Sequence, residues 1–151
     1  KAAKNFRAAS TMLRQLQFAV TDLTLHSSFD PAGPLSIHDV YRTVAQRYQV
    51  KGPQDFDRFL CGFSHIFAGG YSAGYFSYKW AEVLSADCFG AFEEAGLDSD
   101  AAVRATGRRF RDTVLSLGGG AAPSRVFEAF RGRAPSPEAL LRHSGLAVAA
   151  H

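Results

Sequence analysis

Residues Phe63 to Trp80 read F-S-H-I-F-A-G-G-Y-S-A-G-Y-F-S-Y-K-W, the densest concentration of chemically useful side chains in the sequence. Three glycines and two alanines stand among one histidine, three tyrosines, three phenylalanines and a tryptophan. Gly69, Gly70 and Gly74 lower the cost of unusual backbone angles and let another chain approach closely. His65, Tyr71, Tyr75 and Tyr78 supply hydrogen-bond donors at neutral pH, since a free phenol titrates near pH ~10. A protonated hydroxyl can donate to an oxygen that is becoming negative. A flexible loop lined with such donors suits the gripping of a peptide or another carbonyl-rich ligand. The competing reading is structural, with the glycines permitting tight packing beside large rings. A phosphate cradle has no support, because the run lacks a P-loop ending and G-x-G-x-x-G spacing, and no apolar strand feeds it.

The elements that must position this loop read as helices. Ala2, Phe6, Ala9, Leu13, Leu16, Val20 and Leu23 recur at spacings of three and four, which predicts one buried face of a long helix. Phe18 and Leu25 form a second apolar strip on another side, so this helix wants partners on two sides. Pro31, Gly33 and Pro34 predict a turn, after which Ser36 caps a second helix with Asp39 as its capping-box partner. Ile37, Val40, Tyr41, Val44 and Tyr48 give that helix its buried side, and Gly52-Pro53 stops it. Asp55 to Phe63 reads as a short helix or turn leading into the loop.

Beyond the loop, Phe76, Trp80, Val83, Leu84, Cys88, Ala91, Phe92 and Ala95 trace another amphipathic helix ended by Gly96. A further helix is expected from about Asp100 to Leu117, stopped at Gly118-Gly119-Gly120. Short helices follow at Ser124 to Phe130 and Pro137 to His143, the last with Ser136 as cap and Gly145 past its end. No period-2 strand, internal repeat or low-complexity linker is visible. The fold class expected is all-α.

Composition narrows the function. With 151 residues and 46% hydrophobic content there is enough apolar side chain for a core, and 21% charged residues is ordinary for a globular chain. The net charge of +3 comes with arginines crowded into the second half. Arg104, Arg108 and Arg111 fall at helical spacing and accompany no nucleic-acid motif, so a solvated face is the reading and nucleic acid is not an expected partner. No apolar run of roughly 18 residues predicts a membrane span. The chain begins with Lys1 instead of Met and is expected to be a fragment of a longer product. Cys61 and Cys88 are isolated among apolar neighbours and read as small buried hydrophobes, mildly favouring a reducing interior. Asp87 follows Val83 by four residues, on or near the apolar stripe, and is expected to be a hydrogen-bonded structural carboxylate. His26, His38, His143 and His151 have no metal-ligand spacing, and no metal ligand is assigned in this chain.

The loop also carries a family resemblance. H-I-F-A-G-G-Y-S-A-G-Y-F-S-Y-K-W-A-E-V-L-S-A-D resembles the signature near the C-terminus of the thimet oligopeptidase (M3) family of zinc metallopeptidases. The likeness extends through K-N-F-R-A-A-S-T-M-L-R-Q-L-Q-F-A-V-T-D-L-T-L-H upstream, and through G-R-R-F-R-D-T-V-L-S-L-G-G-G, F-R-G-R-A-P and L-L-R-H-S-G-L downstream. It is nearest the oligopeptidase A and dipeptidyl carboxypeptidase side of the family. The zinc motif H-E-x-x-H is absent from the sequence.

The resemblance implies that residues 1–151 are the C-terminal segment of an M3 catalytic domain that cleaves short peptides, with zinc in the full-length enzyme and none held by this chain alone. Tyr78 matches the tyrosine that holds the scissile carbonyl oxygen as it becomes an oxyanion. His65 and Tyr71 match residues lining the substrate channel, Gly69, Gly70 and Gly74 belong to the substrate loop, and Tyr75 matches a further loop tyrosine. Phe76 stands where the family usually has a second tyrosine, removing one hydroxyl. Partners expected are peptide substrates and the remainder of the peptidase, inside the cell, and the chain is expected to be inactive by itself. The alternative is a non-catalytic structural or peptide-binding subunit of a larger assembly, derived from the same fold.

Overall fold

The computed structural model describes residues 2–146, and among them every regular element is helical. In order these are α1 (Ala2–Asn5), α2 (Ala8–Ser27), α3 (Ile37–Tyr48), α4 (Phe59–Gly62), a 3₁₀ turn (Ser64–Ile66), α5 (Ser77–Ala95), α6 (Asp100–Phe110), a π turn (Arg111–Leu115), α7 (Pro123–Arg131) and α8 (Glu138–His143). None of the helices in this stretch is long and apolar enough to cross a membrane. His151 lies outside the described residues. The chain divides into two compact units, Lys1–Trp80 and Ala81–His151.

The first unit is built on α2 and α3. The expected single opening helix is broken at Arg7, whose φ of 56° is left-handed and separates α1 from α2. The buried face of α2 is also not the one the longer periodicity selects. Leu13, Leu16 and Leu23 are exposed, while Gln17, Phe18, Ala19, Thr21 and Asp22 are buried and Leu25 packs against the core. The reason is aromatic packing from distant sequence. Phe18 stacks on Phe59 at 4.8 Å between ring centroids and meets Phe63 at 5.0 Å, while Tyr41 of α3 stacks on Phe59 at 5.4 Å. Offset and edge-on ring pairs of this kind add stabilisation beyond the area they bury.

Ser36 caps α3 as expected. Its hydroxyl accepts from the Asp39 N–H at 3.2 Å, and its own N–H donates to the Asp39 carboxylate at 2.9 Å. Val40, Tyr41, Val44 and Ala45 form the buried side of this helix. Cys61 is a correction, because it is exposed. The single turn of α4 points Leu60 inward, and its neighbour in sequence must therefore face out.

The second unit gathers the later part of α5 with α6, α7 and α8. Phe110 meets Phe130 edge-on at 5.2 Å, and the Arg109 guanidinium lies 5.0 Å from the same ring. The expected helix over Asp100 to Leu117 is α-helical only to Phe110 and continues as the π turn. Arg104 and Arg111 pair with Asp100 and Asp112 on the exposed side. Cys88 is half-buried, and burial pushes its thiol up, with the Asp87 charge acting in the same direction. The Arg131 charge opposes the shift in part.

Asp87 is the buried carboxylate foreseen. It accepts from Arg133 at 2.6 and 2.8 Å, from Arg131 Nε at 3.0 Å and from the Ser136 N–H at 2.8 Å. Its burial alone would raise its pKa, but the Arg133 and Ser136 hydrogen bonds and the two arginine charges outweigh that and hold it below the usual carboxylate range. α8 begins one residue later than expected, although Ser136 Oγ still accepts from the Glu138 N–H at 3.2 Å.

Candidate functional site

The glycine-rich run leaves the core through Ile66, which is fully buried, and folds back over the 3₁₀ turn. The Gly69 N–H donates to the Ser64 carbonyl at 2.8 Å, the Tyr71 N–H to the His65 carbonyl at 3.0 Å, and the Ser72 hydroxyl to the Ile66 carbonyl at 2.8 Å. This close return explains Gly69. A Cβ there would stand 2.8 Å from His65 Cα and 3.0 Å from the Ser64 carbonyl oxygen, both backbone atoms. Gly70 is needed for a different reason, its φ of +82°. Gly74 has ordinary room, its nearest neighbour being the Tyr71 carbonyl oxygen at 3.5 Å.

One side chain of α2 holds the second half of the run. The Asp22 carboxylate, fully buried, accepts from the Ala73 N–H at 2.9 Å through one oxygen and from the Tyr75 N–H at 2.9 Å through the other. His26 Nδ1 lies 2.8 Å from the first of these oxygens and 2.9 Å from the Asp22 carbonyl. Both are acceptors, so Nδ1 carries the proton. Ala73 has a φ of 55°, a left-handed conformation that a residue with a side chain adopts rarely. The Asp22 bond to its N–H helps to hold it there.

These constraints bring four predicted residues together. Tyr75 is buried, and its ring contacts Phe18, Phe63 and His65 at centroid distances of 5.9, 5.1 and 6.1 Å. Its hydroxyl donates to Gln15 Oε1 at 2.9 Å, so the residue is held at both ends by α2. Tyr78 packs on Tyr75 at 5.1 Å and on Tyr71 at 5.0 Å, and His65 stands 6.2 Å from Tyr71. His65, Tyr71 and Tyr78 are exposed. A hydrogen bond to the Tyr71 side chain, then desolvation and the neighbouring phenols, push the Tyr78 hydroxyl up from its ordinary value. Desolvation does the same for Tyr75, partly opposed by the Arg14 charge. Both groups keep their protons at neutral pH, as donors must. The result is an exposed cluster of two phenols and an imidazole on a buried aromatic base.

Three contributors escaped the sequence reading. Asp22, Gln15 and Ser72 make bonds that shape the loop. The first two lie in a helix read only for hydrophobic pattern, and Ser72 lies in the glycine-rich run, where only the histidine and tyrosines were read as donors. A signal existed for Asp22: it falls four residues after Phe18 and three before Leu25, on the apolar strip that is buried here.

The zinc implied by the resemblance finds no ligand set among the described residues. Among the described residues no three His, Cys, Asp or Glu side chains gather as a metal ion would require. The His26–Asp22 pair is a hydrogen bond within one helix.

Comparison with known proteins gives this geometry a context. The model of peptidase family M3 matches residues 1–146. Over 148 residues the chain is 64% identical to an organellar oligopeptidase A, chloroplastic/mitochondrial, of Arabidopsis thaliana, covering 98% of this chain and 19% of that protein. A probable cytosolic oligopeptidase A of the same plant is 62% identical over 98% of this chain and 21% of its own length. The oligopeptidase A of Escherichia coli (strain K12) is 45% identical over 96% of this chain and 21% of its own length. The chain therefore spans about a fifth of the length of these relatives. With a family match that runs from residue 1 to residue 146, the chain belongs to peptidase family M3.

Proposed function

We propose that residues 1–151 are the C-terminal segment of the catalytic domain of a zinc oligopeptidase, and that the loop from Phe63 to Trp80 grips a short peptide and stabilises the oxyanion of its cleavage. The likeness to oligopeptidase A of plants and of Escherichia coli supports the reaction class, and the organellar and probable cytosolic settings of the two plant relatives support an intracellular location. The zinc ligands and the general base that the family implies come from the remaining polypeptide. The contribution of this chain is binding and charge stabilisation.

The observation that carries the reading is the exposed Tyr71–Tyr78 pair standing on a buried Tyr75 that is fixed at both ends. When a peptide carbonyl becomes tetrahedral its oxygen turns negative. A donor already in place stabilises that oxygen without reorganisation, typically by about 3 to 4 kcal/mol. The Tyr78 hydroxyl is such a donor, protonated at neutral pH and raised further by its Tyr71 bond. The Tyr78 ring is already in place on Tyr75, so only the O–H need rotate from Tyr71 to the substrate oxygen. The Tyr71 hydroxyl can then donate to the Tyr78 oxygen and keep it oriented. Tyr71 and His65 line the channel, Gly69 and Gly70 bring the backbone close to the bound peptide, and Gly74 and Tyr75 set the direction of the turn.

The experiment is Tyr78→Phe in the full-length polypeptide that carries this chain. One hydroxyl is lost and the ring remains, so kcat should fall by roughly 10²- to 10³-fold with KM and Tm little changed. Tyr71→Phe should act more through KM. Unaltered turnover in Tyr78→Phe sinks the oxyanion assignment and leaves a peptide-binding or structural role.

A further inference from the structure

We propose that Asp22 is a positioning residue for Tyr78, acting through the backbone turn at Ala73–Tyr75. The proposal rests on the reading of Tyr78 as an oxyanion donor. Burying a carboxylate is expensive unless it is fully hydrogen-bonded, so its partners show what the burial accomplishes. Asp22 spends both oxygens on the N–H groups of Ala73 and Tyr75, which flank Gly74, and its third partner is His26. None of these bonds joins two helices. Two of the three fix a loop backbone that includes a left-handed alanine.

The geometry beyond the turn connects this to the phenol. Gln15 precedes Asp22 by seven residues, two helical turns along the same face of α2, and takes the Tyr75 hydroxyl. Tyr75 is thereby fixed at its N–H by Asp22 and at its hydroxyl by Gln15. Its ring is the surface against which Tyr78 rests at 5.1 Å. If the turn relaxes, Tyr75 loses one of its two anchors and Tyr78 loses its backing. A reacting group displaced by about 1 Å can cost as much as a hundredfold in rate.

The test is a double-mutant cycle in the full-length polypeptide, assayed with a short quenched fluorescent peptide. Asp22→Asn preserves shape but replaces one acceptor oxygen with an NH₂ group facing a loop N–H. Its kcat should fall at least about tenfold with KM little changed, and the same substitution should cost less than about twofold once Tyr78→Phe is present. An equal loss in both backgrounds overturns the proposal, since Asp22 would then act on the fold as a whole. Tyr78→Phe with unaltered kcat removes the reading on which the proposal rests, and is recognised without reference to Asp22. If Asp22→Asn does not accumulate as folded protein, Gln15→Met, a half-buried change of similar length, takes its place. It should lower kcat by about two- to fivefold in the Tyr78 background only. Additivity of Gln15→Met with Tyr78→Phe would equally overturn the proposal.

Discussion

Asp22 in the first unit and Asp87 in the second are both fully buried helical carboxylates, satisfied by different chemistry. Asp22 is held by two loop N–H groups and an imidazole. Asp87 is held by two guanidinium groups and one N–H. Arg131, itself almost wholly buried, is also gripped by both oxygens of Glu94 at 2.7 and 2.8 Å. The Asp87 cluster ties α5 to the segment that follows α7, so its loss releases whole elements. The Asp22 cluster determines the course of one turn. A buried carboxylate bonded to arginines acts on stability, whereas one bonded to loop amides acts on the residues that the loop presents.

The largest effect expected from that contrast is in the second unit. Asp87→Ala leaves the Arg131 guanidinium buried with Glu94 as its remaining carboxylate. Breaking a buried pair by removing one partner costs about 3 to 5 kcal/mol. Denaturant unfolding should register this loss, while kcat per folded molecule stays near that of the parent. An Asp87→Ala protein of unchanged midpoint would erase the distinction between the two aspartates.

Acid tests the charge-based account of the Asp87 cluster. Asp87 lies below the usual carboxylate range in the folded state, because its hydrogen bonds and arginine neighbours outweigh burial. Glu94 is lowered chiefly by its Arg131 hydrogen bond, and Glu93 by its His143 and Arg142 partners against the opposing effect of burial. A folded pKa below the unfolded one means stability that is complete above pH ~4 to 5 and drains as pH falls through the folded values. Unfolding midpoints measured downward from pH 7 should therefore drop steeply in acid. The gap between the parent and Asp87→Ala should narrow over the same range, and a constant gap would refute the charge-based account.

The two aspartates were unequally legible in the sequence for a physical reason. Asp87 follows Val83 on a stripe with one obvious apolar face, so its burial could be read directly. Asp22 lies on the strip of Phe18 and Leu25, which competes with the longer row of Leu13, Leu16 and Leu23. Counting hydrophobic residues favours the longer row. The fold buries the shorter one because Phe59, Phe63 and Tyr75 arrive from far along the chain and stack around Phe18. Helix periodicity shows that two faces exist, and only tertiary packing chooses between them. The cap at Ser36 and the helical class depend on local chemistry and were readable, whereas Tyr78, read as part of the loop, stands in the first turn of α5. The break at Arg7, the exposure of Cys61 and the shift to a π turn after Phe110 carry no local signature that was recognised.

Within the loop, Gly69→Ala sharpens the comparison at smaller scale. The added methyl meets backbone atoms that cannot swing aside, so the return over the 3₁₀ turn must open, at about 1 to 3 kcal/mol. Gly62→Ala, with nothing within 4 Å of the new Cβ, serves as the control and should stay within about 0.5 kcal/mol of the parent. Equal Tm values for the two would mean that the loop yields freely, contrary to its dense backbone bonding.

The smallest effect concerns a third carboxylate, Asp39, which has backbone and hydroxyl partners like those of a loop clamp but stands at the surface. The hydroxyl and N–H of Ser36, with Arg42, lower its pKa to about 2. If hydrogen bonds to the main chain sufficed to make a carboxylate structurally important, Ser36→Ala would rival changes at Asp22. Burial argues otherwise, since water can replace a lost partner at an exposed helix end but not beneath the loop. Ser36→Ala should lower Tm by only a few degrees, the usual effect of losing a cap, and leave kcat unchanged. An NMR titration should meanwhile show the Asp39 carboxyl returning toward its ordinary value of about 4. A large fall in Tm here would show that solvent access does not decide how much these acids matter, and the contrast between Asp22 and Asp87 would then need a cause other than the partners each has lost to burial.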